Sequence, residues 1–334
     1  MASMKPEGTL LLTGRDVAAL LSIEECMVAV EHAFKLYGEG KTQPPGILGA
    51  HSRNGGFHIK AGLLELNRSY FAAKVNANFP ENVTRFGLPT IQGVVVLSDG
   101  ENGYPLALID SIEITIQRTG AATGVAAKHL ARPDSKAVTI CGCGNQGRIS
   151  LRALTKVLPI EAVWAYDRDP SQAQNFAREL GKVLRVAIEV VDDLETAVRK
   201  SDVCVTCTPS TQPFLRDAFV APGTFIAAVG ADNSEKQELE PTLLGRTKLV
   251  VDVLEQSATI GELHHALDAG VITRDDVYGE LGEVIAGLKS GRTSRDEIII
   301  FDSTGMALQD VVTAAAVYEK AVTEGTGTLI DFAQ

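Results

Sequence analysis

The spacing of apolar positions changes twice along this chain. Residues 13–37 carry helical spacing in two blocks. The first starts at Gly14-Arg15-Asp16-Val17, and the second follows the capped start Ser22-Ile23-Glu24-Glu25. Gln43-Pro44-Pro45-Gly46 is a break, after which short runs at 56–61, 70–76, 90–97 and Pro105–Asp110 have strand character. Gly, Pro, Asn and Asp clusters separate them, which predicts an antiparallel sheet. Residues 112–131 then form an Ala- and Thr-rich helix that stops before Pro133. Beyond it strands and helices alternate, with strands at Ala162–Tyr166, 187–191, 203–208, 224–229, 248–252 and 298–301. A last apolar-striped helix, 306–320, is expected to return to the first domain. The pattern predicts an α/β chain of two domains, one of residues 1–115 with 306–334 and one of 116–305.

The second domain opens on a run that changes how the whole chain is read. Ala137-Val138-Thr139-Ile140-Cys141 is followed by Gly142-Cys143-Gly144-Asn145-Gln146-Gly147 and then by helical spacing at Ile149, Leu151, Leu154 and Val157. That is strand, tight turn and helix with glycines at the dinucleotide-binding spacing. Gly142 suits the turn, Gly144 lets the backbone approach a pyrophosphate, and Gly147 allows close packing, while the helix start offers N–H groups to phosphates. Asp167 ends the next strand, 20 residues beyond Gly147. A carboxylate there accepts the ribose hydroxyls and repels a 2′-phosphate, which favours NAD. Arg168 beside it keeps NADP as the alternative.

Composition narrows the partners. The 334 residues carry a net charge of -11, which argues against nucleic acid or an anionic membrane surface. No apolar run reaches the roughly 20 residues of a membrane span, and residues 1–8 lack a signal-peptide core, so a cytoplasmic location is expected. Five cysteines, Cys26, Cys141, Cys143, Cys204 and Cys207, lie mostly in apolar runs. The C-x-x-C pair Cys204 and Cys207 interrupts a βα unit, so it reads as strand cysteines rather than a zinc or redox site. His264 and His265 are adjacent on a helix and face apart, and no metal is assigned.

Lys74-Val75-Asn76, Gly87-Leu88-Pro89-Thr90, Arg118-Thr119-Gly120-Ala121-Ala122, the glycine loop, Val229-Gly230-Ala231-Asp232 and Ser303-Thr304-Gly305 together resemble the ornithine cyclodeaminase/mu-crystallin family, over residues 13–324. The resemblance implies a Rossmann doubly wound dinucleotide-binding domain beside an α+β substrate and dimerisation domain built from both chain ends, in a homodimer. It implies an NAD(P) site lined by Thr90, Arg118, Asn145, Gln146, Asp167, Thr208, Val229, Gly230, Ala231, Lys236 and Ser303. Lys74, Arg118, Asp232 and Thr304 would face a small amino or imino acid.

The residues themselves admit that chemistry. Arg118, on a helix of small residues, can clamp a carboxylate, or it can be a surface arginine. Lys74 follows an apolar run where burial needs an anion, unless it snorkels from an edge strand. Asp232 follows the carboxyl end of a parallel strand, where open α/β sheets bind ligands, unless it caps a helix. Together they imply hydride transfer at an amino-bearing carbon, with an imine intermediate and with Asp232 moving protons. Water attack on the imine makes an alanine dehydrogenase, attack by a side-chain amine makes an ornithine cyclodeaminase, and the hydride step alone makes a ketimine reductase. A binding protein of the mu-crystallin kind is the non-enzymatic alternative.

Asp232 is similar to the dehydrogenase and cyclodeaminase branches rather than to mu-crystallin-type reductases. Two positions depart from the family. Gly46 stands where members commonly have a carboxylate-binding arginine, and His58 stands where cyclodeaminases carry a glutamate. Lys60 or Arg53 would then have to supply the cation. Lys60 alternates with His58 and shares its strand face, either as a rebuilt anion site or as an exposed polar face.

Overall fold

The computed structural model describes residues 8–331 and divides into two compact units. The first comprises residues 1–33, 40–118 and 306–334; the second comprises 34–39 and 119–305. The leader expectation at residues 1–8 falls outside the described residues except for Gly8.

The first unit holds a seven-stranded sheet in the order Thr328–Ile330, Thr9–Leu12, Pro105–Asp110, Ile91–Asp99, Ser69–Asn78, Gly55–Glu65 and Gly46–Ser52. Its long strands pair antiparallel, as the sequence predicts, while Thr9–Leu12 runs parallel to Pro105–Asp110. Both early helices form, Gly14–Leu20 behind a Thr13/Asp16 capping box and Ile23–Gly38 behind the reciprocal Ser22/Glu25 pair. The last helix, Ala307–Glu324, packs across the sheet strands Gly55–Glu65 and Ser69–Asn78 and is buried over most of its length.

Three strands of this sheet escape the sequence reading. Gly46–Ser52 continues from the break after Pro45 as a fully exposed edge, where alternation carries no signal. Thr9–Leu12 and Thr328–Ile330 are too short to show a period.

The second unit is an eight-stranded, wholly parallel sheet in the order Gly279–Glu280, Lys248–Val251, Ile299–Asp302, Phe225–Ala228, Val203–Thr206, Ala137–Cys141, Ala162–Tyr166 and Ala187–Val190. Its central strands are mostly apolar, ending on Thr206, Ala228 and Asp302, with every residue buried, as expected of a doubly wound sheet covered on both faces. The chain is therefore α/β with a Rossmann-type domain. The strand order reverses around Ala137–Cys141, and that switch places a crevice at the glycine loop. Among the described residues no helix is long and apolar enough to cross a membrane.

Candidate active site

In the second unit the glycine loop takes the shape its spacing predicts. Gly142 has φ +102°, a left-handed value that favours glycine, and turns the chain out of Ala137–Cys141. A Cβ on Gly147 would strike the Gly142 carbonyl and the Ile140 side chain, so only glycine lets the helix sit this close. Gly144 is the N-cap of the helix Asn145–Val157, and the direction of its missing Cβ is open, with nothing within 4 Å. The first-turn N–H groups and the positive end of the helix dipole lie beside that opening. Asn145 is exposed there and Gln146 half-buried.

Asp167 is tied into the same loop. Its Oδ2 accepts the Cys143 N–H at 2.8 Å and its Oδ1 accepts the Asp169 N–H at 2.9 Å. One carboxylate thus joins the end of the second strand to the glycine turn, while the neighbouring Arg168 is exposed.

The remaining residues attributed to the cofactor in this unit cluster at the same carboxyl edge. Thr208, Val229, Gly230, Ala231 and Ser303 each follow the end of a parallel strand, and Ser303 donates its N–H to the Ala228 carbonyl at 2.9 Å. Thr304 is buried, and its hydroxyl donates to Asp252 Oδ1 at 2.8 Å and accepts from Gln256 Nε2 at 2.7 Å. Its hydroxyl serves the loop's own hydrogen bonding. Asp232 lies in a turn rather than at a helix start, is exposed, and pairs with Lys236 Nζ at 2.7 Å.

All five cysteines are free thiols, four of them buried and Cys207 half-buried. Cys207 Sγ donates to the Gly142 carbonyl at 3.1 Å, and burial pushes the Cys143 thiol up to about 12, far from a reactive thiolate. Among the described residues no three His, Cys, Asp or Glu side chains are grouped to hold a metal ion. His265 instead meets the Lys236 carbonyl at 2.8 Å.

The first unit gathers buried cations. Register pairs Lys60 with Lys74 across adjacent strands, so both side chains share a face. Lys60 is 8% exposed and Lys74 3%, so the exposed polar face and the snorkelling lysine are both overturned. Both strands are interior to the sheet. Arg118 is also buried, which excludes a surface arginine. His58, half-buried, stands on the same face opposite Asn76, while the half-buried Thr90 precedes Ile91–Asp99. Arg53 is exposed.

What holds Lys74 and Arg118 is Asp310, which the sequence reading missed. Its Oδ1 lies 2.8 Å from Lys74 Nζ and 3.3 Å from Arg118 Nε, and Gln309 Oε1 accepts from Arg118 at 3.2 Å. Lys74 also donates to Thr115 Oγ1 at 3.3 Å. Burial, reinforced by the neighbouring Arg118, pushes the Lys74 ammonium down to about 7. Burial pushes the Asp310 carboxyl up, but Lys74 and Arg118 outweigh it and hold the group below the usual carboxylate range. Asp310 Oδ2 and Gln309 Nε2 are buried and have no hydrogen-bond partner among the described residues. The available signal was a polar pair inside the otherwise apolar run Met306-Ala307-Leu308-Gln309-Asp310-Val311-Val312.

Comparison with known proteins agrees in length and fold. A model of the ornithine cyclodeaminase/mu-crystallin family matches residues 7–325. The chain is 43% identical to an alanine dehydrogenase of Archaeoglobus fulgidus, over 97% of this chain and 98% of that one. Among solved structures it is similar to an archaeal alanine dehydrogenase dimer with bound NAD, with a TM-score of 0.92 at 42% identity, covering 97% and 99% of the two chains. It is also similar to the delta(1)-pyrroline-2-carboxylate reductase of Thermococcus litoralis in complex with NADH and L-proline, with a TM-score of 0.91 at 37% identity, covering 96% and 100%.

Proposed function

The chain belongs to the ornithine cyclodeaminase/mu-crystallin family, and from that premise we propose that it is an NAD-dependent oxidoreductase of a small L-amino acid, working through an imine as an alanine dehydrogenase does. The observation that carries this reading is the buried group of Lys60, Lys74 and Arg118 gathered around Asp310. Three cations against that carboxylate favour an anion, and an amino-acid carboxylate supplies one.

The second unit fits a dinucleotide. The open side of Gly144 and the helix start beside it suit a pyrophosphate, and Asp167 suits an unphosphorylated ribose, so NAD is preferred and NADP is the alternative. Asn145, Gln146, Thr208, Val229, Gly230, Ala231, Lys236 and Ser303 would line that site. When bound, NAD supplies the hydride acceptor for the substrate α-carbon.

The chain's own groups do the rest. Arg118 and Lys60 hold the carboxylate, with His58 on the Lys60 face. With its pKa near 7, Lys74 Nζ is partly unprotonated at neutral pH and takes a proton from the substrate ammonium. Asp232 steadies the developing iminium and activates the water that releases ammonia and a 2-oxo acid. Reduction of a preformed imine is the same hydride step reversed. A diamine substrate is disfavoured, because His58 gives its distal ammonium no counter-ion.

A homodimer is supported by the sheet face opposite Lys60 and Lys74. Ile59, Val75 and Val94 are partners across three strands and Leu63 and Phe71 across two, and none of these five is buried. Such an apolar face on a sheet fits a second copy of the chain. The acidic charge speaks against nucleic acid, and the free thiols fit the reducing cytoplasm.

The test is incubation with NAD and a panel of amino acids, following NADH absorbance and released ammonia together. Equal NADH and ammonia on a small amino acid supports the dehydrogenase. Ammonia without NADH on a diamine would replace it with a cyclodeaminase, and no signal on any amino acid would overturn oxidation.

A further inference from the structure

Glu238 is fully buried on the short strand Gln237–Leu239, and its carboxylate joins two loops of the second unit. Oε1 accepts the Thr208 N–H at 2.6 Å and the Thr208 hydroxyl at 2.7 Å, and Oε2 accepts the Gly230 N–H at 3.1 Å. Thr208 and Gly230 follow the neighbouring parallel strands Val203–Thr206 and Phe225–Ala228, which are in register up to Thr206 and Ala228, with the Val229 N–H donating to the Thr206 carbonyl at 2.9 Å. Beyond those residues the ladder ends, and Glu238 takes over the separation of the two chains. A Cβ at position 230 would overlap the Glu238 carboxylate, so glycine there is what admits it.

Glu238 is itself tied to the sheet. Glu262 Oε1 accepts the Glu238 N–H at 2.8 Å and Glu262 Oε2 the Leu239 N–H at 3.1 Å. Asp302, at the end of the central strand Ile299–Asp302, accepts the N–H groups of Glu262 and Leu263 at 3.2 and 2.9 Å. His265, one turn further along that helix, meets the Lys236 carbonyl, so a single helix face pins both ends of the segment leading into Glu238.

Three donors converge on the Glu238 carboxylate: burial raises its pKa above the ordinary carboxylate value, and the Thr208 and Gly230 donors pull it part of the way back. Burying such a group is costly, and a neutral side chain could close two loops more cheaply. The donors it organises belong to residues that the proposed function assigns to the cofactor.

We propose that Glu238 is a positioning residue for hydride transfer: through the Thr208 and Gly230 backbone it fixes the loop walls against which the nicotinamide is held. This rests on the NAD reading of those loops. Glu238 touches neither cofactor nor substrate and sets the angle and distance of transfer rather than the grip on the adenosine half, which belongs to the glycine loop and Asp167. Glu238→Gln keeps the length but turns one acceptor into a donor facing N–H groups, so the walls shift.

The experiment compares wild type and Glu238→Gln for turnover, for ADP-ribose affinity and for the primary isotope effect with α-deuterated substrate. The expected result is a tenfold or greater fall in kcat, ADP-ribose affinity within threefold, and a larger isotope effect as hydride transfer becomes limiting. Unchanged turnover and isotope effect would overturn the proposal, as would an equal loss of ADP-ribose binding, which marks a general scaffold. Should the variant not fold, amide exchange in the wild-type protein decides: Thr208 and Gly230 N–H groups must be strongly protected, and fast exchange at either rejects the clamp. A wild type that binds no NAD while those amides stay protected would instead sink the cofactor reading.

Discussion

Lys74 Nζ lies 2.8 Å from Asp310 Oδ1 with both side chains almost wholly buried, and Arg118 shares that same oxygen. The carboxylate is outnumbered, so the pair's protonation answers to its surroundings more than to either partner.

Activity should therefore carry an acid limb near pH 7, where the Lys74 ammonium titrates. Asp310 raises that pKa, so in Asp310→Asn the limb should move to lower pH, and stability should fall by about 3–5 kcal/mol because two buried cations lose their anion. The folded Lys74 pKa lies below the ordinary 10.5, so the unfolded chain binds the extra proton between those values and stability rises with pH across that window. Lys74→Met should remove both the acid limb and that slope. An unmoved limb in Asp310→Asn would disprove the coupling.

The proposed function gives Lys60 the carboxylate-binding role. Lys60→Ala should raise KM for the amino acid by about 10-fold or more, the scale of a lost charged hydrogen bond, with NAD affinity unchanged. A change confined to NAD would reassign the residue.

Asp232, exposed and paired with Lys236, is assigned to the proton rather than to the cofactor. Asp232→Asn should bind NAD normally and lose about 10²–10⁴-fold in turnover. Stopped-flow measurement of the first turnover checks whether chemistry is the step affected.

Asp167→Ser should weaken NAD and strengthen NADP, reducing the ratio of their kcat/KM values. The glycine turn also loses an acceptor at Cys143 N–H, so affinity for NAD falls even where the ribose contact is compensated. A variant with an unaltered ratio would remove Asp167 from cofactor choice.

Val75→Glu places a charge in the middle of the apolar sheet face. Sedimentation should show a monomer where the parent chain is a dimer, and a variant still dimeric would direct attention to another surface.

The second unit was the more legible half. Its central strands are buried on both faces and read as largely apolar runs, and the turn geometry at Gly142 and Gly147 follows from glycine spacing alone. In the first unit, Gly46–Ser52 is an exposed edge whose residues need no pattern. Asp310 and Glu238 were illegible for a different reason. Each is a carboxylate within a buried segment whose value lies in partners on other elements, from Gly230, 8 positions from Glu238, to Lys74, 236 positions from Asp310, which no local period records. Lys74 and Arg118 were found through resemblance, while their burial and shared counter-ion came from the fold.

The helix Ala307–Glu324 packs on the sheet that Thr9–Leu12 begins, and the strand Thr328–Ile330 pairs with Thr9–Leu12. Translation order therefore opposes assembly order. Lys60, Lys74 and Arg118 leave the ribosome 250, 236 and 192 residues before Asp310 does, and until then the nascent chain holds a cluster of cations without its anion. The unit that starts first is finished last, and a chain ending before residue 307 would hold the whole of the second unit but lack the last helix and strand of the first.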